Sequence, residues 1–134
     1  MDSNLKLKLK EILSNNKSWS IIIEGLDAKL IKDAVIINAN INSQDLGIKI
    51  DSNGYIYPKF ISELENSKTK ILIIDELDEI SKEEQEKFYG LIKYKGINGY
   101  KFPKETQIII TTKTNGLNKI SQDILNLTLN FKLE

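Results

Sequence analysis

The chain has 134 residues, of which 40% are hydrophobic and 28% charged, a composition typical of one soluble globular domain that spans residues 1–134. Basic and acidic residues number 19 each, so the formal net charge of zero implies no bulk attraction to nucleic acid or anionic lipid. Cysteine, histidine and arginine are absent, which excludes disulfides, thiol nucleophiles, imidazole bases, the usual zinc ligands and an arginine finger.

Short apolar runs recur along the chain, and segments with helical or turn character separate them. The N-terminal stretch Leu5–Leu13 carries leucine and isoleucine at helical spacing, which favours an amphipathic helix over the strand that its Leu/Lys alternation also allows. Apolar runs predict five strands, at Trp19–Glu24, Ala34–Asn38, Ile71–Asp75, Gln107–Thr112 and Leu127–Leu133. Leu26–Asp33 predicts a brief helix at most, and Ser43–Tyr57 predicts a polar, turn-rich connection.

Helix-start signals lie before and after the central apolar run. Pro58 suits the first turn of a helix, and Ser81 begins an S-x-x-E capping box that opens another helix. A loop and a further short helix follow, at Gly96–Lys104 and near Ile120–Leu125. Strands that alternate with helices predict a parallel sheet covered on both faces.

The most informative segment is Ile71–Ser81, ILIIDELDEIS, an apolar run that ends in the adjacent acids Asp75 and Glu76. A run without alternation is typical of a strand buried on both faces, and α/β folds bind ligands at the carboxyl ends of such strands. The segment therefore looks like a Walker B element, in which Asp75 helps to hold Mg²⁺ and Glu76 polarises the attacking water. The alternative interpretation is an ordinary strand end, with Asp78 and Glu79 completing an acidic loop before the capped helix.

With these elements in order, the chain resembles the α/β core of AAA+ ATPases, particularly the MoxR and dynein-related branch, over about Gly47–Phe131. The resemblance is carried by three segments, GIKIDSNGYIYPKFISELENSKTKILIIDELDEIS, INGYKFPKETQIIITTK and ISQDILNLTLNF. It implies a three-layer α/β domain with helices on both faces of a five-stranded parallel sheet in the order 5-1-4-3-2.

The departures from that family are concentrated in its catalytic parts. A P-loop needs G-x-x-x-x-G-K-[ST], whereas EGLDAKLIKDAVIIN follows the first strand here and offers Lys29 as its one conceivable phosphate lysine. At the sensor-1 position the family's polar residue aligns with Lys113, and its polar neighbours Thr111, Thr112 and Asn115 could partly substitute. The family's arginine before the last strand has no counterpart, and no lid domain is expected, since the sequence ends at Glu134.

These features predict a non-hydrolysing AAA+-like domain without a cofactor. It would act as a structural or regulatory module through a protein partner, either an active AAA+ ATPase or a second copy. The enzyme alternative is a Mg²⁺-dependent ATPase in which Asp75 binds the metal, Glu76 is the catalytic base and Lys29, Thr111, Thr112 and Asn115 contact ATP. A third hypothesis is nucleic-acid binding by the lysines and tyrosines of residues 93–104, KYKGINGYKFPK. We do not expect this function. No apolar run approaches the ~20 residues of a membrane helix, so a cytoplasmic protein without membrane contact is expected.

Overall fold

The computed structural model describes residues 3–133. Its helices, in chain order, are α1 (Ser3–Asn15), α2 (Lys59–Asn66), α3 (Lys82–Gln85), α4 (Tyr89–Tyr94) and α5 (Gln122–Leu125). Its strands are β1 (Ser20–Glu24), β2 (Val35–Asn38), β3 (Lys49–Asp51), β4 (Gly54–Ile56), β5 (Ile71–Asp75), β6 (Gly96–Ile97), β7 (Tyr100–Lys101), β8 (Gln107–Thr112) and β9 (Thr128–Lys132). Short 3-10 turns occupy Ala28–Leu30, Ser43–Asp45, Leu77–Glu79, Glu86–Phe88 and Gly116–Lys119. No helix within residues 3–133 is long and apolar enough to cross a membrane.

The central sheet has the strand order β2-β5-β8-β1-β9, and each neighbouring pair is parallel. When the five strands are numbered in chain order and read from the other edge, this is 5-1-4-3-2, so the predicted order is confirmed. The register places Ile73 of β5 beside Ile109 of β8, and Ile109 beside Ile21 of β1. All three isoleucines are fully buried. Burial on both faces explains why these strands are continuous apolar runs.

The two faces of the sheet are covered by different parts of the chain, which gives the three predicted layers. Crossovers between parallel strands are right-handed, so the direction of each step across the sheet decides the face on which its crossover lies. The step from β1 to β2 runs in the opposite direction to the steps from β2 to β5, β5 to β8 and β8 to β9, so the β1–β2 crossover lies on the opposite face. Helices α2, α4 and α5 pack on one face through residues such as Phe60, Leu91 and Ile124. The other face is covered by Leu9 and Ile12 of α1, and by apolar residues of the β1–β2 connection.

Two β-hairpins lie where loops were predicted. Strands β3 and β4 pair antiparallel inside the expected polar connection 43–57, and β6 pairs with β7 inside the expected loop 96–104. The turn between β3 and β4 is built by Asp51, whose Oδ1 accepts the Asn53 N–H at 2.7 Å, and by Gly54 at φ +121°. All of β3 and β4 is exposed, so these strands lack the apolar pattern that reveals the core strands.

Candidate functional site

The carboxyl ends of β1, β5 and β8 meet at one edge of the sheet, and Thr111 joins two of them. Its hydroxyl donates a hydrogen bond to Asp75 Oδ1 at 2.6 Å and accepts one from the Glu76 N–H at 2.9 Å. Thr111 is 2% exposed, whereas Asp75 is half-buried. Three of the residues predicted from sequence are therefore in direct contact, and the hydroxyl satisfies one Asp75 oxygen and the adjacent backbone donor together.

Glu76 leaves the sheet in an unusual backbone conformation. Its φ and ψ are +62° and +46°, in the left-handed region that non-glycine residues visit uncommonly. The following residue, Leu77, is fully buried, and the Glu76 N–H is held by Thr111. This geometry ends β5 abruptly, starts the 3-10 turn Leu77–Glu79, and leaves the Glu76 side chain exposed.

Asp78 is the acid whose role sequence reasoning missed. It is 7% exposed, and its Oδ2 accepts the backbone N–H of Lys113 at 3.2 Å. Its Oδ1 is buried without a hydrogen-bond partner among the described residues. A Cβ at Gly116 would lie 2.5 Å from Asp78 Oδ2, so the glycine permits this close packing. Asp78 thus joins the turn after β5 to the loop after β8, and no local sequence signal marks this role, because Gly116 lies far from Asp78 along the chain.

The acidic loop does not gather its carboxylates around a metal-sized centre. Within residues 3–133, no three acidic side chains come together in a group that could hold a metal ion. Glu79 instead forms an ion pair with the ammonium of Lys113, the residue at the sensor-1 position. The hydrogen bond from Lys113 lowers the pKa of Glu79, and the same contact raises the pKa of Lys113.

The β1–β2 connection is packed tightly against its neighbours. The Gly25 N–H donates to the Thr112 carbonyl at 2.8 Å, which continues the β1–β8 ladder past the end of β1. Gly25 has φ +80°, and a Cβ there would lie 3.1 Å from Thr114 Oγ1 and 3.3 Å from the Leu133 carbonyl oxygen. The chain therefore has little space at the position where β1 ends.

The 3-10 turn that follows, Ala28–Leu30, is capped by its own chain. Asp27 Oδ1 accepts the Lys29 N–H at 3.0 Å. Ala28 is buried, as are Leu26 and Ile31, whereas Lys29 is exposed. The backbone donor at the start of this turn is therefore already paired with a carboxylate.

The remaining predicted nucleotide contacts make local hydrogen bonds. The Thr112 hydroxyl donates to the Lys113 carbonyl at 2.9 Å. Asn115, at φ +64°, accepts a hydrogen bond from Lys132 Nζ of β9 at 3.1 Å through its Oδ1. The structure thus brings Thr111, Asp75 and Glu76 together, while Asn115 contacts the β9 side of the sheet.

The segment 93–104 is anchored by Phe102, which is buried and packs edge-to-face on Phe60 with ring centres 6.1 Å apart. Tyr94 does not anchor the segment, since it is 65% exposed at the end of α4. The Lys93 ammonium lies 5.5 Å from the centre of the Tyr94 ring, and charge interaction with Tyr89 and Tyr94 raises the pKa of Lys93. Burial lowers the pKa of Lys95, whose ammonium donates to backbone carbonyls. Two of the four lysines are therefore engaged within the domain.

Comparison with known proteins gives structural matches alone. No protein-family model and no curated protein matches the sequence. Among solved structures, NtrX from Brucella abortus in complex with ADP superposes with a TM-score of 0.61 at 15% identity, covering 97% of this chain and 35% of that one. A second NtrX structure gives a TM-score of 0.62 at 15% identity, with 100% and 37% covered. A DNA polymerase III gamma subunit-related protein from Thermotoga maritima gives 0.56 at 15% identity, with 97% and 45% covered.

These likenesses show the fold. The chain is an α/β domain with a five-stranded parallel sheet, a fold that it shares with the matched parts of these proteins. It spans less than half the length of the matched proteins.

Proposed function

We propose that this chain is a degenerate, non-hydrolysing AAA+-like domain of the MoxR and dynein-related kind. It acts as a structural or regulatory module through protein contacts, beside an active AAA+ ATPase or with a second copy. The observation that carries the proposal is the β1–β2 connection. In a P-loop, backbone N–H groups at this position wrap the phosphates and a lysine reaches their charge. Here the same stretch buries Leu26, Ala28 and Ile31 against the sheet, which supports a role as core cover.

Electrostatics at this position also support the proposal. The Asp27 carboxylate caps the turn that would otherwise offer its N–H groups to an anion. Glu24 ends β1 directly before Gly25, so a second carboxylate lies close in sequence to the same turn. Because like charges at short range repel, a polyphosphate would meet two acids here, with Lys29 and Lys32 as the exposed cations of the connection.

The contacts of the Asp75–Glu76 pair support an architectural role for it. The Thr111 hydroxyl binds one Asp75 oxygen and the Glu76 N–H, and Asp78 binds the backbone of Lys113. The Thr111 hydroxyl joins the end of β5 to β8, and Asp78 joins the turn after β5 to the loop after β8. Asp75 and Asp78 thereby link the carboxyl ends of two central strands, a use that requires neither metal nor nucleotide.

One observation favours the second candidate, a Mg²⁺-dependent nucleotide-binding ATPase. Glu76 is an exposed carboxylate on a left-handed residue, and strained residues cluster at functional sites. In that hypothesis Asp75 is the metal ligand, Glu76 the base, and Lys29, Thr111, Thr112 and Asn115 contact ATP. The Asp75 Oδ1 is bound by the Thr111 hydroxyl, and within residues 3–133 no three acidic side chains form a metal-binding group, so Mg²⁺ at Asp75 would depend on nucleotide phosphates and water for its other ligands.

Calorimetric titration with ATP and ADP, with and without Mg²⁺, distinguishes the two candidates. We expect no binding heat at millimolar nucleotide for the wild-type chain. Asp75→Ala is the matched variant, since it removes the proposed metal ligand. A dissociation constant below about 100 μM (roughly 5.5 kcal/mol) that weakens in Asp75→Ala would overturn the proposal and establish an unconventional nucleotide site.

A further inference from the structure

The free edge of the central sheet carries backbone groups that no residue within 3–133 pairs. β2 is the outer strand, and it pairs with β5 along Val35–Asn38. The Ala39 N–H donates to the Asp75 carbonyl, so the peptide groups of alternate residues, Val35 and Ile37, also face β5. The peptide groups of Ile36 and Asn38 then face away from β5, towards the open edge of the sheet. The Asn38 carbonyl is bound by the Ile41 N–H, which leaves the Ile36 N–H, the Ile36 carbonyl and the Asn38 N–H directed at the edge.

Natural proteins protect such edges with charge, proline or a covering element. β2 has the sequence VIIN, and Ile36 is 44% exposed. Beside it lies a cleft of about 550 Å³, lined by Ile36, Ile37 and Asn38 on one side and by Ile56, Tyr57 and Phe60 on the other. Ile56 and Tyr57 are 47% and 49% exposed. The edge is therefore open and has an apolar wall next to it.

We infer that this edge binds an extended apolar segment of a partner protein, which adds a sixth strand antiparallel to β2. This inference rests on the proposed interaction role, for which it names the surface and the chemistry of the partner. One residue of the segment would exchange two hydrogen bonds with Ile36, and the residue two positions away would accept from the Asn38 N–H. Side chains alternate across a strand, so the residues flanking the central one lie on the face of Ile37 and enter the cleft.

Charge around the cleft selects an uncharged segment. Its rim carries two lysines and two acids, Lys49, Lys59, Asp45 and Glu63, and the Lys49–Asp45 pair is in direct contact at 3.2 Å. The opposite signs balance, so neither a strongly acidic nor a strongly basic peptide gains attraction here. Apolar side chains at alternate positions match the apolar wall.

A second copy of the chain is a poor occupant. Edge-to-edge pairing of two β2 strands would direct Val35 and Ile37 of one copy towards the cleft of the other. These side chains are 5% and 4% exposed because they are packed in their own core. They cannot fill the neighbouring cleft without leaving that core, whereas an extended segment of another protein can.

The test uses the full 134-residue chain and a display library of short random peptides. Peptides are enriched on the wild-type chain after counter-selection on Ile36→Pro, which removes the outward N–H from an edge where proline is compatible with the ladder. We expect enriched sequences to alternate apolar residues. A synthetic peptide should bind Ile36→Pro about tenfold or more weakly, and Ile36→Ala less than about fivefold more weakly, since the backbone donor stays.

Further measurements locate the binding surface. Tyr57→Ala, in the cleft wall, should weaken binding, whereas Tyr94→Ala, an exposed tyrosine outside the cleft, should not. Hydrogen exchange should slow at the Ile36 and Asn38 amides when peptide is added. If Ile36→Pro fails to fold, N-methylation of the peptide residue opposite Ile36 tests the same hydrogen bonds from the other side.

Several outcomes overturn the inference. They are the absence of enriched peptides, equal binding to a folded Ile36→Pro variant, and protection at amides away from β2. A dimer that Ile36→Pro dissociates would identify a second copy as the occupant and would also overturn it. Nucleotide binding by calorimetry would overturn the proposed function while leaving the peptide result intact, so the two failures are distinguishable.

Discussion

Replacement of Thr111 by valine removes one hydroxyl and keeps the side-chain shape. The hydroxyl makes two hydrogen bonds, at 2.6 Å to the Asp75 carboxylate and at 2.9 Å from the Glu76 N–H. A hydrogen bond to a charged group contributes about 1.5–3 kcal/mol and a neutral one about 0.5–1.5 kcal/mol. Asp75 is half-buried, so water can replace part of the first bond. We therefore expect Thr111→Val to lower the free energy of unfolding by about 2–3 kcal/mol.

Thr112→Val is the matched control, because it changes the next residue on the same strand. The Thr112 hydroxyl makes one neutral bond, to the Lys113 carbonyl at 2.9 Å, and Thr112 is equally buried. Its loss should cost about 1 kcal/mol. Urea denaturation, followed by circular dichroism and by the fluorescence of Trp19, measures the free energy of unfolding of both variants. With a slope of about 2 kcal/mol per molar urea, Thr111→Val should lower the midpoint by about 1 M or more.

A double-mutant cycle then assigns the energy to the Thr111–Asp75 contact. Asp75→Asn, Thr111→Val and the double variant should give a coupling free energy of about 1 kcal/mol or more. If Thr111→Val is no more destabilising than Thr112→Val, or if the coupling is within error of zero, the architectural explanation of Asp75 is refuted.

Three further predictions concern other parts of the domain. Ile12→Ala, which opens a cavity under α1, should cost about 2–4 kcal/mol in urea denaturation, whereas Leu7→Ala on the exposed face should cost less than about 0.5 kcal/mol. Backbone hydrogen bonds from residues 68 and 69 lower the pKa of Asp33, so its contribution is present at neutral pH and is lost as pH falls through the folded pKa. The urea midpoint should consequently depend less on pH below about 4 in Asp33→Asn than in wild type. The hydrogen bond to Glu65 raises the pKa of Tyr100 to about 12. Its contribution to the free energy of unfolding is therefore fully present below about pH 10 and is lost as the pH rises through the raised pKa of Tyr100. Phenolate absorbance should show Glu65→Gln returning the Tyr100 pKa towards its ordinary value, and an unchanged titration would contradict the contact.

Core elements were predictable where local sequence patterns determine them. The strand Ile71–Asp75 has the predicted bounds, because an unbroken apolar run ending in two acids has one stable position in a covered parallel sheet. The helix start at Ser81 was equally local, and the Ser81 hydroxyl accepts the Glu84 N–H at 3.1 Å. Both features depend on residues within a few positions of one another.

The two hairpins were not predictable because contacts between distant residues stabilise them. Asn98, in the turn between β6 and β7, accepts the N–H of Ile48 just before β3 at 3.0 Å. The rings of Tyr57 and Tyr100 pack edge-to-face with centres 5.8 Å apart. Each hairpin is short, and an isolated two-stranded hairpin is marginally stable, so these contacts between the two hairpins add to the stability of both.

The candidate site divides in the same way. Asp75 and Glu76 stand out in the sequence because the end of an apolar strand marks them, and Thr111 because it lies next to the last residue of the neighbouring strand. The burial of Asp78 was not predictable, since an acidic run normally indicates a solvated loop. Asp78 is buried because Gly116, distant in sequence, leaves room for its carboxylate and because the Lys113 N–H lies within hydrogen-bond distance.

The shortened β1–β2 connection and the N-terminal helix are physically linked. A parallel sheet is stable when both faces are covered, and the face carrying Ile21, Ile23 and Ile73 receives from its own crossover just one 3-10 turn. Helix α1 supplies the missing apolar surface with Leu9 and Ile12, and the backbone at its end accepts hydrogen bonds from the Gln107 side chain of β8. The face can therefore remain buried without a full helix after β1. Once that helix is dispensable for stability, the phosphate loop that would precede it is no longer required by the fold, so the parallel sheet can form without either.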